Sequence, residues 1–243
     1  MRMLTFSKRT AKEILRDPLN IAFGLGFPLV LLILFTTIQK NAPVEMFKIE
    51  NTTPGLSVFG LSFMTLFSSV LIAKDRSSSL LQRLYTTPLT PSDYIFGYIL
   101  PVVPIGILQS VICYAAAVIL GLDFSINILW AILLVIPVSL FFISLGLLCG
   151  SVLSEKQVGG VCGALLTNLT IWLSGVAFDL DLVGGAFKKV AYLLPFVHAV
   201  EMERSVLAGD FGDILPHLWW VLGYMVLAVI LAVTAFTLKT KNN

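Results

Sequence analysis

The sequence predicts an all-α polytopic membrane protein, and three observations carry that prediction. Of 243 residues, 57% are hydrophobic and 12% are charged, against roughly 25% charged in soluble domains. Six apolar segments, at 19–38, 54–73, 94–122, 127–153, 157–178 and 218–238, each reach the ~20 residues that cross a ~30 Å hydrocarbon core at 1.5 Å per residue. None of the six contains Asp, Glu, Lys, Arg or His, so all charge is left to the connections.

Before the first span, residues 1–18 hold Arg2, Lys8, Arg9, Lys12 and Arg16 against Glu13 and Asp17. Wound at 100° per residue, Met3, Leu4, Ala11, Ile14 and Leu15 gather on one side. The segment is expected to be an amphipathic interfacial helix stopped at Asp17-Pro18. The apolar run behind it is too long for a signal peptide and lacks a small-x-small cleavage site, so it is expected in the mature protein. Pro28, Pro101, Pro104 and Pro137 interrupt spans, as helices in lipid tolerate. Between spans five and six, residues 179–217 are too apolar for a solvated loop and too broken for another span. Two short helices split at Pro195, the second ending at Gly209, fit this segment.

Orientation follows from the connections. With the N-terminus inside, the pieces 1–18, 74–93, 154–156 and 239–243 hold 11 of the 16 Lys and Arg residues, while 9 of the 14 acidic residues lie outside. The positive-inside rule then puts both termini in the cytoplasm of a multi-pass cell-membrane protein. A net charge of +2 gives no footprint for nucleic acid.

The long polar piece on the basic side is Lys74 to Asp93, KDRSSSLLQRLYTTPLTPSD. Leu80, Leu81, Leu84 and Tyr85 share one side of a short helix, and Arg76, Gln82 and Arg83 point elsewhere. Thr87-Pro88 ends the pattern. Thr90, Pro91 and Asp93 then start the next helix as cap, first-turn proline and capping-box partner. Such a helix either lies on the headgroups or docks on a cytoplasmic partner.

The run Asp75 to Leu89 resembles the cytoplasmic loop of ABC-2 type transporter permeases, a charged pair, Gly-Thr, Leu-x-Arg-Leu and Thr-Pro-Leu. Leu81, Arg83, Leu84, Thr87, Pro88 and Leu89 match, while Ser79 and Leu80 stand in place of Gly-Thr and Ser77 replaces a frequent Glu. The resemblance implies a six-helix transmembrane domain over 19–243, with 74–93 as the coupling-helix loop and short outer-leaflet helices in 179–217. It also implies partners: separate ABC ATPase subunits, a second permease subunit and membrane lipid. ATP and Mg would be bound by the ATPase, with no cofactor in this chain. The residues carried over as ATPase-contacting are Asp75, Arg76, Ser79, Leu80, Leu81, Arg83, Leu84, Tyr85, Thr87 and Pro88.

Within the spans, Ser62, Thr65 and Ser69 share one face of the second, and Thr167, Thr170 and Ser174, with Asn168 beside them, one face of the fifth. They either hydrogen-bond locally and across packed helices or, as the resemblance implies, line a translocation path. Gly146 and Gly150, and Gly159 and Gly163, are small-residue faces for close helix packing. His198 and Glu201 lie three residues apart without a third ligand nearby, and Cys113, Cys149 and Cys162 sit in apolar runs. No metal, disulfide or catalytic role is expected of either set. Walker A, Gly-x-Ser-x-Gly and His-Glu-x-x-His patterns are missing. Ion-coupled carriers bury a titratable group at mid-membrane, and these spans hold none, so the driving energy is expected from outside the chain. The sequence therefore reads as the permease subunit of an exporter for drugs, antibiotics, peptides or lipid-linked glycans, with an ATP-independent channel as the alternative.

Overall fold

A computed structural model describes residues 2–42, 44–78 and 91–241, and among the described residues every regular element is helical. Helix α1 (Arg2–Leu15) buries Phe6, Ser7, Thr10 and Ile14. Of the apolar side read in the sequence, Ile14 is buried against the bundle while Leu4 and Leu15 are exposed. The cause is a notch in a later helix: a Cβ on Gly97 would lie 2.3 Å from Phe6 Cδ1, and the Phe6 ring meets Tyr94 and Tyr98 edge-on. An aromatic knob in a glycine hole, rather than the mean hydrophobic direction, sets how α1 is rolled.

After the short α2 (Pro18–Ile21), a widened turn at Ala22–Gly26 leads into α3 (Phe27–Asn41). The wide turn lies just before Pro28, which lacks an N–H and crowds the preceding turn. Next comes α4 (Ile49–Ser77), the axis of the molecule, with 89% of its most apolar stretch buried. Around it pack α3, α5 (Pro91–Leu120) and α6 (Asn127–Val152), the last making the most extensive contact.

The two glycines of α6 name their partner. A Cβ on Gly146 would stand 2.4 Å from the Thr65 carbonyl oxygen, and one on Gly150 2.6 Å from that of Ser69, so both face α4. Removing side chains there lets two backbones approach closely.

The expected fifth span is realised differently. Residues 157–178 fall in α7 (Glu155–Val158), a π-helical stretch at Gly159–Leu166, and α8 (Thr167–Leu173). Among the described residues five helices, Ala22–Asn41, Ile49–Ser77, Asp93–Leu120, Asn127–Val152 and Ile214–Thr237, are long and apolar enough to cross a membrane, and this run is not one of them. Gln157, Thr167, Asn168 and Thr170 lower its hydropathy, and Gly175, at φ 72°, ends it.

The following segment holds α9 (Leu180–Val183), α10 (Gly185–Leu193) and α11 (Pro195–Ala208) before α12 (Ile214–Lys241). Pro195 is the first residue of α11, and Gly209 closes it at φ 85°, with Asp210 N–H donating to Ser205 O at 2.9 Å. Arg204 fastens α11 to its neighbours, donating to Asn51 O at 3.2 Å and Gly175 O at 3.1 Å and pairing with Glu201 at 3.1 Å. Trp130, Trp172, Trp219 and Trp220 are all exposed and all near this end of the bundle, opposite α1.

Candidate functional site

The residues of chemical interest gather where α4 ends and the 79–90 segment begins. Asp75 lies in the last turn of α4 and is only 3% exposed. Its carboxylate accepts both Arg9 nitrogens, Nη1 to Oδ2 at 3.0 Å and Nη2 to Oδ1 at 2.9 Å, and the Tyr98 hydroxyl at 2.8 Å. A two-pronged guanidinium and a phenol satisfy a buried carboxylate that would otherwise be costly. Arg9 in turn pairs with Glu13 at 2.9 Å, and Glu13 with Lys74 at 3.1 Å. The Arg9 guanidinium is held above its usual range by its hydrogen bonds to Asp75, which outweigh its partial burial. One carboxylate thus joins α1, the end of α4 and the first turns of α5.

Arg76 makes the second connection. Its Nη1 donates to the Gly150 carbonyl at 3.0 Å and to that of Ser151, and its Nη2 to that of Leu153 at 2.6 Å. These are last-turn carbonyls of α6, which have no partner within their own helix, and a cation suits that negative end. Ser77 adds a hydroxyl to Glu155 at 3.3 Å, at the start of α7. The chain therefore leaves α4 at a point tied to α1, α5, α6 and α7.

Of the residues carried over as ATPase-contacting, Asp75 and Arg76 are turned into this network. Ser79, Leu80, Leu81, Arg83, Leu84, Tyr85, Thr87 and Pro88 lie outside the described residues. Among the path candidates, Ser62, Thr65 and Ser69 are fully buried inside the bundle. Thr65 donates to Phe142 O of α6 at 2.9 Å, whereas Ser62 and Ser69 donate to Phe59 O and Leu66 O of their own helix. Thr167, Thr170 and Ser174 are also buried and bond within their own helical run, to Gly163 O, Leu166 O and Ile171 O, and Asn168 is exposed. On both faces the hydroxyls are spent on backbone carbonyls.

Sequence reasoning missed one inward group. Glu203 of α11 is wholly buried, and its Oε2 accepts from Tyr114 of α5 at 2.8 Å while Oε1 has no partner. Burial pushes the carboxyl up to about 8, against the smaller opposing pull of the Tyr114 and Ser57 hydroxyls. Ser57 donates to Ser110 at 2.9 Å, and Ser110 to Gln109 Oε1 at 3.3 Å, so a polar thread runs inward from α11. A recognisable signal existed: Phe196, Val200, Glu203 and Val206 lie on one buried stripe of α11. His198, read beside Glu201 in the sequence, faces elsewhere, its Nδ1 2.8 Å from that of His217 and its ring stacked on Trp220. Among the described residues no three His, Cys, Asp or Glu side chains converge for a metal, and the three cysteines are free.

Comparison with known proteins bears on what this arrangement serves. The family model described as ABC-2 type transporter matches residues 1–208, from α1 through the last turn of α11. The chain belongs to the ABC-2 type transporter family. As an ABC-2 permease it is a multi-pass transmembrane component of a transport system, not a catalytic subunit, and the family implies ATPase partners. Its curated relatives include the putative transport permease ycf38 of Cyanophora paradoxa, 25% identical over 81% of this chain and 71% of that one. Nodulation protein J of Rhizobium meliloti is 22% identical over 81% and 73% of the two chains. The capsule polysaccharide export inner-membrane protein CtrC of Neisseria meningitidis is 27% identical over 54% of this ABC-2 permease and 49% of its own length.

Proposed function

We propose that this permease is the membrane-spanning subunit of an ATP-driven exporter, working as a dimer with two separate ATPase subunits that bind ATP and Mg. The observation that carries the reading is the Asp75 network. A push on the 79–90 segment reaches α4 through Ser78 and α5 through Pro91, and Arg9–Asp75–Tyr98 and Arg76 pass it to α1 and α6. Hydrolysis in the partner would thereby rock the helices as connected bodies. The run Glu155–Leu173 serves as the sixth span, with Thr167 and Thr170 facing protein rather than lipid. Both termini are cytoplasmic, and α10 and α11 dip into the outer leaflet.

Ser62, Thr65, Ser69, Thr167, Asn168, Thr170 and Ser174 come to line the path when the packed helices part, with Asn168 on its rim. The cargo is amphipathic or lipid-like: a drug, antibiotic, peptide or lipid-linked glycan. That a relative is named for capsule polysaccharide export supports both the outward direction and the last of these classes.

Mild-detergent purification from the native membrane, beside a Leu81→Asp, Leu84→Asp double variant, tests the proposal. A soluble nucleotide-binding subunit is expected with the parent and not with the variant. Its failure to appear with either protein, while the permease dimer persists, would move the function to an ATP-independent channel.

A further inference from the structure

A cavity of about 850 Å³ opens between α1 and the α1-side end of α4. Its rim is cationic: Lys8 and Lys12 stand at i and i+4 on one side of α1, and Arg16 follows directly after its last residue. All three are exposed, and none is ion-paired with a carboxylate among the described residues. The two nearby cations behave otherwise, Arg9 being spent on Asp75 and Glu13 and Lys74 on Glu13. The two carboxylates on the lining are Glu13, already committed to Arg9 and Lys74, and Asp17.

The floor has the opposite character. Phe67, Val70 and Leu71 line it, with Ile14 of α1 beside them. These α4 residues belong to the span Ile49–Ser77, and Phe67 lies two turns, about 10 Å, deeper along the helix than Lys74. A soluble anion has no use for that floor, and a water-soluble partner does not reach that depth. A molecule with a negative head at the level of Lys8, Lys12 and Arg16 and a hydrocarbon chain running down past Val70 meets both surfaces. The volume falls within the roughly 300–1,000 Å³ of pockets that enclose small ligands.

We propose that this cavity binds the phosphate headgroup and upper acyl chain of an anionic phospholipid. The lipid wedges between α1 and α4 beside the Arg9–Asp75 link, so its presence stiffens the junction that α1 makes with the span. The reading of α1 as cytoplasmic supplies only the leaflet the lipid comes from. Binding itself is read on the purified permease without an ATPase, so an absent ATPase partner and an absent lipid site are distinguishable failures.

The test is native mass spectrometry of the delipidated full chain offered phosphatidylglycerol and phosphatidylcholine with identical chains. The parent is expected to retain phosphatidylglycerol at least tenfold over phosphatidylcholine, one per chain. A Lys8→Gln, Lys12→Gln, Arg16→Gln variant should fall within twofold, and Lys188→Gln, on the far side, should match the parent. Val70→Trp leaves the charges and fills the slot, and should lose the lipid. Equal retention of the two lipids by the parent overturns the proposal, as does unchanged selectivity in the triple variant. Displacement of phosphatidylglycerol by millimolar inorganic phosphate would reassign the rim to a bare anion, and Val70→Trp binding like the parent would remove the slot.

Discussion

Among single residues, Glu203 has the sharpest consequence. Its carboxyl is raised from 4.5 to about 8 by burial, so the folded state holds a proton that the unfolded chain releases. The stabilisation from that proton is complete below about pH 4.5 and fades as pH rises through about 8. The melting temperature of the purified permease should therefore fall between pH 5 and pH 9. Glu203→Gln, which keeps the shape and removes the titration, should flatten that slope, and an unchanged slope would place the titrating group elsewhere. The sequence shows an acidic residue in an outer connection, and a reading by charge counts assigns it to the aqueous side. Its position on the α11 stripe was legible, but the pairing with Tyr114, 89 residues away, needs the fold. Asp75 was singled out for a partner protein on resemblance alone. Nothing local to it announces Arg9, which arrives from a helix 66 residues earlier.

Taken element by element, close packing of α4 and α6 is the stabilising core. Gly146→Ala would press a methyl group against the Ser68 hydroxyl and the Thr65 carbonyl, one of them backbone that cannot step aside. We expect a cost of about 1–3 kcal/mol, seen as a lower melting temperature in detergent. Gly223→Ala on α12 has open space around its Cβ and should be neutral or slightly stabilising. Element positions were largely readable because a 20-residue apolar run has few alternatives in lipid. The rotation of α1 was not, since hydrophobic direction averages over side chains while Phe6 answers to a single glycine. Nor was the weak apolarity of Glu155–Leu173 visible as a distinction, because Thr167, Asn168 and Thr170 sit on an otherwise apolar background.

For the molecule as a whole, the links at the α4 terminus make five helices respond to one segment. Asp75→Asn keeps the size of the side chain but exchanges the anion for a neutral amide opposite Arg9. In a reconstituted complex the ATPase should still co-purify, and hydrolysis should persist while cargo flux falls at least tenfold. Undiminished flux would mean that motion reaches the spans without α1. The all-helical membrane class lay in composition and could be read directly, whereas five of the six expected spans are long and apolar enough to cross a membrane among the described residues. The association of distant polar groups at one end lay in three-dimensional proximity, and no window of sequence contains it.

The depth at which α4 is buried also sets a clock. Ser62, Ser68 and Ser69 can satisfy their hydroxyls on carbonyls of their own helix, at Phe59, Met64 and Leu66, as soon as that helix exists. Thr65 instead reaches Phe142, 77 residues later in the chain. At about 5–20 residues per second of synthesis, α4 waits roughly 4–15 s for the helix that covers it. During biogenesis this hydroxyl must find a temporary acceptor, in its own helix or in the insertion machinery, and a chain halted after α5 would never release it.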